Sequence, residues 1–219
     1  LFKIMDGLPV TIRLIDPPLH EFLPHTDADM IELVNHIGKP LEFVKARAEA
    51  LHEQNPMLGH RGCRLAITYP EICEMQTRAI LSAAIECKNA GIRVYPEIEV
   101  PLVGSKKEVD IVKAVIEASA DSLFAETGDS VEYTVGSMIE LPRAAVLADE
   151  IADSCEFFEF GTNDLTQTTL GMSRDDTAKI LDEYRARAVY DTISVARNGI
   201  GRKILAGRTD NRYSGGRNR

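Results

Sequence analysis

The sequence lacks a long apolar run, and this absence argues against a membrane protein. A membrane-spanning helix needs about 20 consecutive apolar residues, and no run in this chain approaches that length. Nothing near Leu1 has the form of a secretory signal peptide. We therefore expect a cytoplasmic protein with no membrane partner.

Positive charge is scarce as well, which argues against nucleic acid as a partner. The chain has 34 Asp and Glu residues against 25 Lys and Arg residues, a net charge of −9. A protein that binds a phosphate backbone should have the opposite balance. A small anionic substrate is still compatible with this charge, because a local cluster of arginines can override the global sign.

Paired metal-binding cysteines and glycine-rich phosphate loops are also missing. The four cysteines include no CxxC pair, so they favour reduced, buried thiols over disulfides or a thiolate metal site. No GxGxxG or Walker motif follows any predicted strand. The sequence therefore gives little support to a Rossmann fold or to a P-loop nucleotide-binding protein.

The chain does contain alternating strand and helix patterns. Short apolar runs predict strands at Pro9–Ile15, Val94–Val103, Val131–Glu140 and Phe157–Phe160. Helices are predicted from Thr26 to about His36, at Leu41–Glu53, from Pro70 to Gly91, after a capping box at Ser105–Glu108, and at Pro142–Ser154. This alternation is typical of βα units around a parallel sheet. We predict an α/β protein, an incomplete (β/α)₈ TIM-type barrel with five or six of its eight strands.

The last 29 residues differ from the rest in charge and pattern. Residues 191–219 carry seven basic and two acidic side chains, and their apolar periodicity is weak. Two buried, near-continuously apolar parallel strands are difficult to build from such a segment. We therefore predict a partial barrel over residues 1–190 and a basic, loosely packed tail over residues 191–219.

Two arginines are candidates for binding an anion. Arg13 lies inside an apolar strand, where it either forms a structural ion pair, for example with Asp16, or binds a ligand. Arg61 lies between Gly59 and Gly62, which allow the backbone to approach a ligand closely. Two guanidinium forks could hold a carboxylate and a phosphate together. The alternative for Arg61 is a solvated side chain in an ordinary glycine-rich turn.

Two carboxylates are candidates for binding a metal ion. Glu140 ends one predicted strand, and Asp164 follows the next. Successive parallel strands end at the same mouth of a barrel, where barrel enzymes place their sites. Mg²⁺ prefers carboxylate oxygens and leaves positions for substrate oxygens. Taken singly, Glu140 could instead be a helix-start carboxylate, and Asp164 a turn aspartate.

Four segments around these residues resemble one enzyme family. Gly136–Arg143 and Phe158–Gln167 resemble the signature of the phosphoenolpyruvate-utilising enzymes. Asp16–Phe22 and Gly59–Leu65 are similar to the dikinase branch in particular, in its carboxyl-terminal, phosphoenolpyruvate/pyruvate-binding domain. The resemblance covers about residues 1–190. It implies a (β/α)₈ barrel that holds phosphoenolpyruvate or pyruvate with Mg²⁺.

The resemblance also implies roles for individual residues. The substrate-binding positions are Arg13, Arg61, Glu140, Gly161, Thr162, Asn163, Asp164 and Arg174. Glu140 and Asp164 match the Mg²⁺ ligands, and the arginines match those that bind the substrate phosphate and carboxylate. The implied reaction is phosphoryl transfer between a phosphohistidine and pyruvate, with a phosphohistidine domain and a homodimer as partners. In the full enzyme it contributes to converting ATP, pyruvate and phosphate into AMP, phosphoenolpyruvate and diphosphate.

Some residues depart from the family pattern. The family's proton-handling cysteine lies in a Gly-Ile-Cys-Gly-Glu type motif that is absent here, and Cys155 precedes the Asn163–Asp164 pair. Glu99 occupies a position that is usually apolar in the family. We therefore expect the isolated chain to carry only the pyruvate-side site and not to turn over. The alternatives are a non-catalytic binding or dimerisation fragment, and a Mg²⁺-dependent carbon–carbon lyase on a related barrel.

Overall fold

A computed structural model describes residues 1–173 and 177–189. Arg174 and the predicted tail at 191–219 lie outside these residues. Four strands, β1 (Pro9–Arg13), β2 (Tyr95–Val100), β3 (Thr134–Ile139) and β4 (Phe158–Phe160), form one sheet in the order β1-β2-β3-β4. All three pairings are parallel, as predicted.

The strand count of the described residues is four, lower than the five or six expected. Each of the four runs predicted as strands contains one of these strands, and the further one or two strands expected for the chain were not assigned to particular residues. An α/β chain with a four-stranded parallel half-barrel is consistent with an incomplete barrel. The closed (β/α)₈ arrangement stays a prediction.

Helices connect the strands and cover one face of the sheet. In the described residues they are α1 (Asp27–Ile37), α2 (Leu41–Leu51), α3 (Cys63–Thr68), α4 (Pro70–Asn89), α5 (Lys106–Thr127), α6 (Pro142–Val146), α7 (Ala148–Ala152), α8 (Thr162–Leu170) and α9 (Ala178–Ala186). The helix predicted at 142–154 is thus divided in two at Leu147. Short helices at 63–68 and 162–170 were not predicted.

A capping box forms at the start of α1, but the one predicted at the start of α5 does not form. Thr26 caps α1 by accepting a hydrogen bond from the backbone N–H of Asp29, whose carboxylate accepts one from the N–H of Thr26. The capping box predicted at Ser105 is not formed. Glu108 instead accepts hydrogen bonds from the N–H of Gly104 and from the hydroxyl of Ser105. The serine donates where a capping box requires it to accept.

The two faces of the sheet differ in chemistry. Residues that alternate along the strands, including Ile98, Val100, Val135 and Ile139, are buried in the core cluster with residues of α4 and α5. Each fully buried side chain of this kind contributes about 1.5–3 kcal/mol to folding. The register places Arg13 beside Glu99 and Glu99 beside Gly136 on the other face. This polar face of the sheet leads to the carboxyl ends of the strands.

The structure bears on two further predictions. All four cysteines are free, with Cys63, Cys73 and Cys87 buried and Cys155 partly buried, which confirms the prediction of reduced thiols. In the part of the chain that is described, no helix is both long enough and apolar enough to cross a bilayer.

Candidate functional site

The predicted arginines and carboxylates come together at the carboxyl ends of the strands. Arg13 is the last residue of β1, and Glu140 directly follows β3. Asp164 lies in the first turn of α8, just after β4, and Arg61 lies in the loop before α3. The parallel arrangement places these ends at one edge of the sheet, as the sequence predicted.

Arg61 is the centre of this cluster. Its Nη2 donates to Oδ2 of Asp16 at 2.7 Å and to Oδ2 of Asp164 at 3.2 Å. Its Nε and Nη1 donate to the carbonyl oxygens of Asp16 and Met57 at 3.2 and 3.3 Å. Only 9% of its side chain is exposed, so the alternative of a solvated arginine in a turn is wrong.

The electrostatics of Arg61 favour its charged form. Burial by itself lowers the pKa of the guanidinium, but the charges and hydrogen bonds of Asp16 and Asp164 outweigh burial and raise the pKa. The guanidinium therefore stays positive inside the cluster. A buried arginine with two carboxylate partners is held in one place, which suits it to orient an anion.

A close contact between two loops fixes the backbone next to Arg61. Gly62 has φ of +57°, and a Cβ there would lie 2.7 Å from Cβ of Leu102 and 3.1 Å from the carbonyl oxygen of Pro101. The N–H of Cys63 donates to that same carbonyl oxygen at 3.0 Å, and its thiol donates to the carbonyl oxygen of Leu102 at 3.2 Å. Glycine at position 62 is thus required by both space and conformation.

Arg13 is more accessible than Arg61 and shares a partner with it. Its Nη1 lies 3.2 Å from Oδ2 of Asp16, and 43% of its side chain is exposed. The same Nη1 approaches Sδ of Met138 at 3.9 Å. The predicted ion pair with Asp16 therefore exists. The exposed part of the guanidinium leaves room for a ligand as well, so the two roles proposed for Arg13 do not exclude each other.

Glu140 is a buried carboxylate with a raised pKa. Only 1% of the residue is exposed, and its Oε1 accepts a hydrogen bond of 2.6 Å from the N–H of Leu102. Burial raises the pKa of Glu140 to about 7, opposed by the Leu102 hydrogen bond and reinforced by Asp16 and Asp164. Glu140 directly precedes Leu141, the N-cap of α6, so the alternative position of a helix-start carboxylate is compatible with this burial.

Gly161 allows α8 to begin directly beside Glu140. A Cβ at this position would lie 2.6 Å from Cβ and from Oε2 of Glu140, and 2.8 Å from Sδ of Met138. Its N–H donates to the carbonyl oxygen of Ile139 at 3.2 Å. Only glycine permits this approach, which brings Asp164 to the carboxylate of Glu140.

The two carboxylates fit a hard divalent cation. Glu140 and Asp164 lie at the ends of neighbouring strands, and the negative charge of Asp164 helps to raise the pKa of Glu140. Within the described residues Oδ1 of Asp16 is buried without a hydrogen-bond partner. No group of three or more His, Cys, Asp and Glu side chains in that part of the chain is arranged to hold a metal. A cation bound here would thus complete its shell with water or substrate oxygens, as Mg²⁺ commonly does.

The remaining predicted residues occupy different positions. Thr162 and Asn163 are exposed in the first turn of α8, next to Gly161. Asp16 and Leu102 were not predicted as site residues. The sequence indicates Asp16 only as an ion-pair partner of Arg13, although its position after β1 and before two prolines is a usable signal. Nothing in the sequence marks the backbone N–H of Leu102 as a donor to Glu140.

Comparison with known families agrees with this geometry. Residues 1–211 match the family of the PEP-binding domain of PEP-utilising enzymes. The chain belongs to this family. The matched range continues past residue 190, where the resemblance was expected to end, and the domain boundary at that residue stays a prediction.

Similar curated proteins are dikinases of bacteria and plants. The pyruvate, phosphate dikinase of Clostridium symbiosum is 52% identical over 208 residues, which cover 93% of this chain and 24% of that protein. The Rhizobium meliloti enzyme is 55% identical over 208 residues, covering 93% of this chain and 23% of the relative. The chloroplastic Arabidopsis thaliana enzyme is 54% identical over 209 residues, which cover 93% of this chain and 22% of the relative.

The matches cover only part of the length of each relative. The chain spans about a quarter of the length of these relatives, so their whole reaction is not automatically its own. One relative is named chloroplastic, and the cytoplasmic location of this chain stays a prediction. These matches show membership of the family, whereas the roles of the individual site residues are hypotheses.

Proposed function

We propose that this chain carries the pyruvate-side site of a dikinase-type phosphotransferase. The reaction is Mg²⁺-dependent phosphoryl transfer between a phosphohistidine and pyruvate. The observation that carries the proposal is the buried fork of Arg61, which bridges Asp16 and Asp164 beside Glu140. That arrangement combines a fixed cation for an anionic substrate with a carboxylate pair for a metal ion.

The bond changes define what the site must stabilise. In the forward direction pyruvate loses a methyl proton, its enolate oxygen forms a bond to phosphorus, and the phosphorus–nitrogen bond of the phosphohistidine breaks. Negative charge therefore develops on the enolate oxygen and spreads over the transferring phosphoryl oxygens. We assign no residue of this chain to the methyl proton.

The arginines hold that charge in the proposed mechanism. Arg61 presents a fork that Asp16 keeps in place, so it need not reorganise when a carboxylate or phosphate arrives. An arriving anion competes with Asp164 for Nη2, since the contact to Asp164 is longer than that to Asp16. Arg13 contributes a second, more exposed guanidinium from β1. Gly161, Thr162 and Asn163 line the substrate next to the start of α8.

Glu140 and Asp164 would hold the cation. A bound Mg²⁺ supplies Lewis-acid stabilisation of negative oxygen. Glu140 must be ionised to act as a ligand, and its raised pKa of about 7 makes that ionisation sensitive to pH near neutrality. The N–H of Leu102 orients one oxygen of Glu140 and leaves the other beside Gly161.

The partners of the chain follow from the same reaction. A phosphohistidine domain delivers the phosphoryl group, and ATP and phosphate charge that histidine in the complete cycle. We further propose a homodimer in the cytoplasm. The relatives are named pyruvate, phosphate dikinase, which supports the substrate class.

Calorimetry with oxalate, which mimics pyruvate enolate, tests the metal site. We expect Mg²⁺ or Mn²⁺ to bind more tightly with oxalate present, and Asp164→Ala to weaken this binding at least tenfold. Asp121→Ala removes an exposed carboxylate from α5 and serves as the control. Equal binding by the wild type and by Asp164→Ala would contradict the assignment of Asp164 as a metal ligand.

Two activity assays separate the alternatives. Pyruvate-dependent phosphoryl transfer from an added phosphohistidine donor would exclude a purely non-catalytic binding fragment. Cleavage of a 2-oxo-acid aldol without phosphoryl transfer would instead favour the carbon–carbon lyase.

A further inference from the structure

A second pair of carboxyl groups lies on the polar face of the sheet, away from the carboxylates assigned to the metal. Glu99 lies in β2 and Glu159 in β4. The register pairs Glu99 with Gly136 and Glu159 with Met138, which alternate on the same face of β3. The two side chains therefore lie on the same face of the sheet on either side of β3, with Glu99 buried and Glu159 exposed.

Glu99 has an environment that does not suit a carboxylate anion. Only 1% of the residue is exposed, and within the described residues its Oε1 is buried without a hydrogen-bond partner. Two ionised carboxylates have only acceptor atoms, so a hydrogen bond between them requires a proton. Burying an unpaired charge beside a like charge is costly, which again favours one protonated partner.

The charged groups around Glu99 come from every neighbouring strand. Arg13 lies beside it on β1, Glu140 follows β3, and Glu159 lies on β4. On its own strand Glu97 is held by a hydrogen bond of 2.6 Å from the hydroxyl of Thr11. Burial raises the pKa of Glu99 to about 8, with Glu159 the next cause, Arg13 opposing and Glu140 reinforcing.

We propose that Glu99 and Glu159 share one proton, and that this proton sets how strongly Arg13 binds an anionic ligand. With the proton in place the pair carries one negative charge, and the exposed guanidinium of Arg13 is available to an anion. When the proton leaves, a second negative charge lies beside Arg13. That charge competes with the anionic ligand for the guanidinium of Arg13. It also repels the ligand. The ligand half of this inference rests on the proposed function.

Carbon-13 NMR of the glutamate carboxyl groups tests the shared proton directly. In the 219-residue chain we expect Glu99 to titrate near its raised pKa of about 8. In Glu159→Gln the like charge is gone and an amide can donate to Glu99, so its titration should move towards lower pH. A Glu99 signal that titrates below about pH 6 in the wild type, or that is unchanged in Glu159→Gln, overturns proton sharing.

Binding of oxalate with Mg²⁺ between pH 7 and 9 tests the effect on the ligand. Glu99→Gln is isosteric and cannot ionise. Because Glu140 titrates in both proteins, its effect on affinity cancels in the ratio of wild-type to variant affinity. We expect this ratio to fall by about three- to tenfold over that range, the size of one added charge near a surface arginine. Glu97→Gln, on the same face, is the control and should follow the wild type.

The outcomes separate this inference from the proposed function. A constant ratio between pH 7 and 9 overturns the coupling of the pair to Arg13. An absence of oxalate binding at every pH overturns the proposed function and with it the ligand half of the inference. The NMR titration of Glu99 decides proton sharing whether or not oxalate binds.

Discussion

The backbone N–H of Leu102 donates a hydrogen bond of 2.6 Å to Oε1 of Glu140. Leu102 holds this position with φ of +59°, a conformation that costs a non-glycine residue about 1–3 kcal/mol. Its Cβ fills the space next to Gly62, so the strained loop after β2 touches the Arg61 loop and the end of β3 together. This contact ties the anion-binding and metal-binding halves of the candidate site to one another.

Gly161→Ala should disrupt the metal site with a modest effect on the fold. The added Cβ would lie 2.6 Å from Oε2 of Glu140, so either α8 or Glu140 must move. We expect the affinity for Mg²⁺ with oxalate to fall at least tenfold, as measured by calorimetry. Gly104→Ala is the matched control, because its Cβ would meet nothing closer than Oε2 of Glu108 at 3.3 Å, with side-chain carbons of Arg143 and Leu141 at 3.7 and 3.8 Å. Equal loss in both variants would contradict a specific role for Gly161.

Arg61→Lys should weaken phosphoenolpyruvate binding although it keeps the charge. Lysine cannot reproduce the fork that contacts Asp16, Met57 and Asp164, and each lost charge-assisted contact costs about 1–3 kcal/mol. Affinity is measured by calorimetry and stability by urea denaturation. Arg13→Lys should lower stability less, because that side chain is 43% exposed. An unchanged phosphoenolpyruvate affinity in Arg61→Lys argues against the bidentate role.

The free energy of unfolding should decrease as the pH rises from about 5 to 8.5. Glu99 and Glu140 have pKa values raised to about 8 and about 7 in the folded chain, against an ordinary value of 4.5. The folded state therefore holds more protons than the unfolded state in this interval, and the stability they contribute is lost as the pH passes 7 and 8. Urea denaturation at several pH values measures the slope.

Glu99→Gln provides the comparison for this pH dependence. The amide cannot ionise, so the slope should become shallower between about pH 6 and 8. Saturating Mg²⁺ should also flatten the part due to Glu140, because a bound cation favours the ionised carboxylate. A stability that rises with pH equally in wild type and variant would refute the raised pKa values.

Native thiols should react slowly with a disulfide reagent. Burial raises the pKa of Cys63 and Cys155 to about 12 and that of Cys73 to about 11, and the thiolate is the reactive form. We expect far fewer than four thiols to react promptly with Ellman's reagent at pH 8, and all four in guanidinium chloride. Prompt reaction of all four thiols in the native chain would show that these cysteines are accessible to the reagent and not buried.

The sequence determined the strand–helix alternation because it depends on local patterns. Pro9, Pro70 and Pro142 stand at or next to element starts, since proline fits the first position of a helix or an edge strand. Element ends were less well predicted. The Val94–Val103 run extends beyond β2 on both sides, because apolar character continues into a loop that packs against Gly62.

The sequence also placed Glu140 and Asp164 at the ends of successive strands, which was enough to predict that they meet, whereas it placed Arg13 inside a strand. It could not show how they interact, because the partners are far apart in the chain. Arg61 and Asp164 are 103 positions apart, and Leu102 and Glu140 are 38 apart. The strand register and the close approach at Gly161 decide these contacts. Three properties therefore depend on the tertiary structure alone. They are the burial of Arg61, the raised pKa of Glu140 and the position of Glu99 near Glu159.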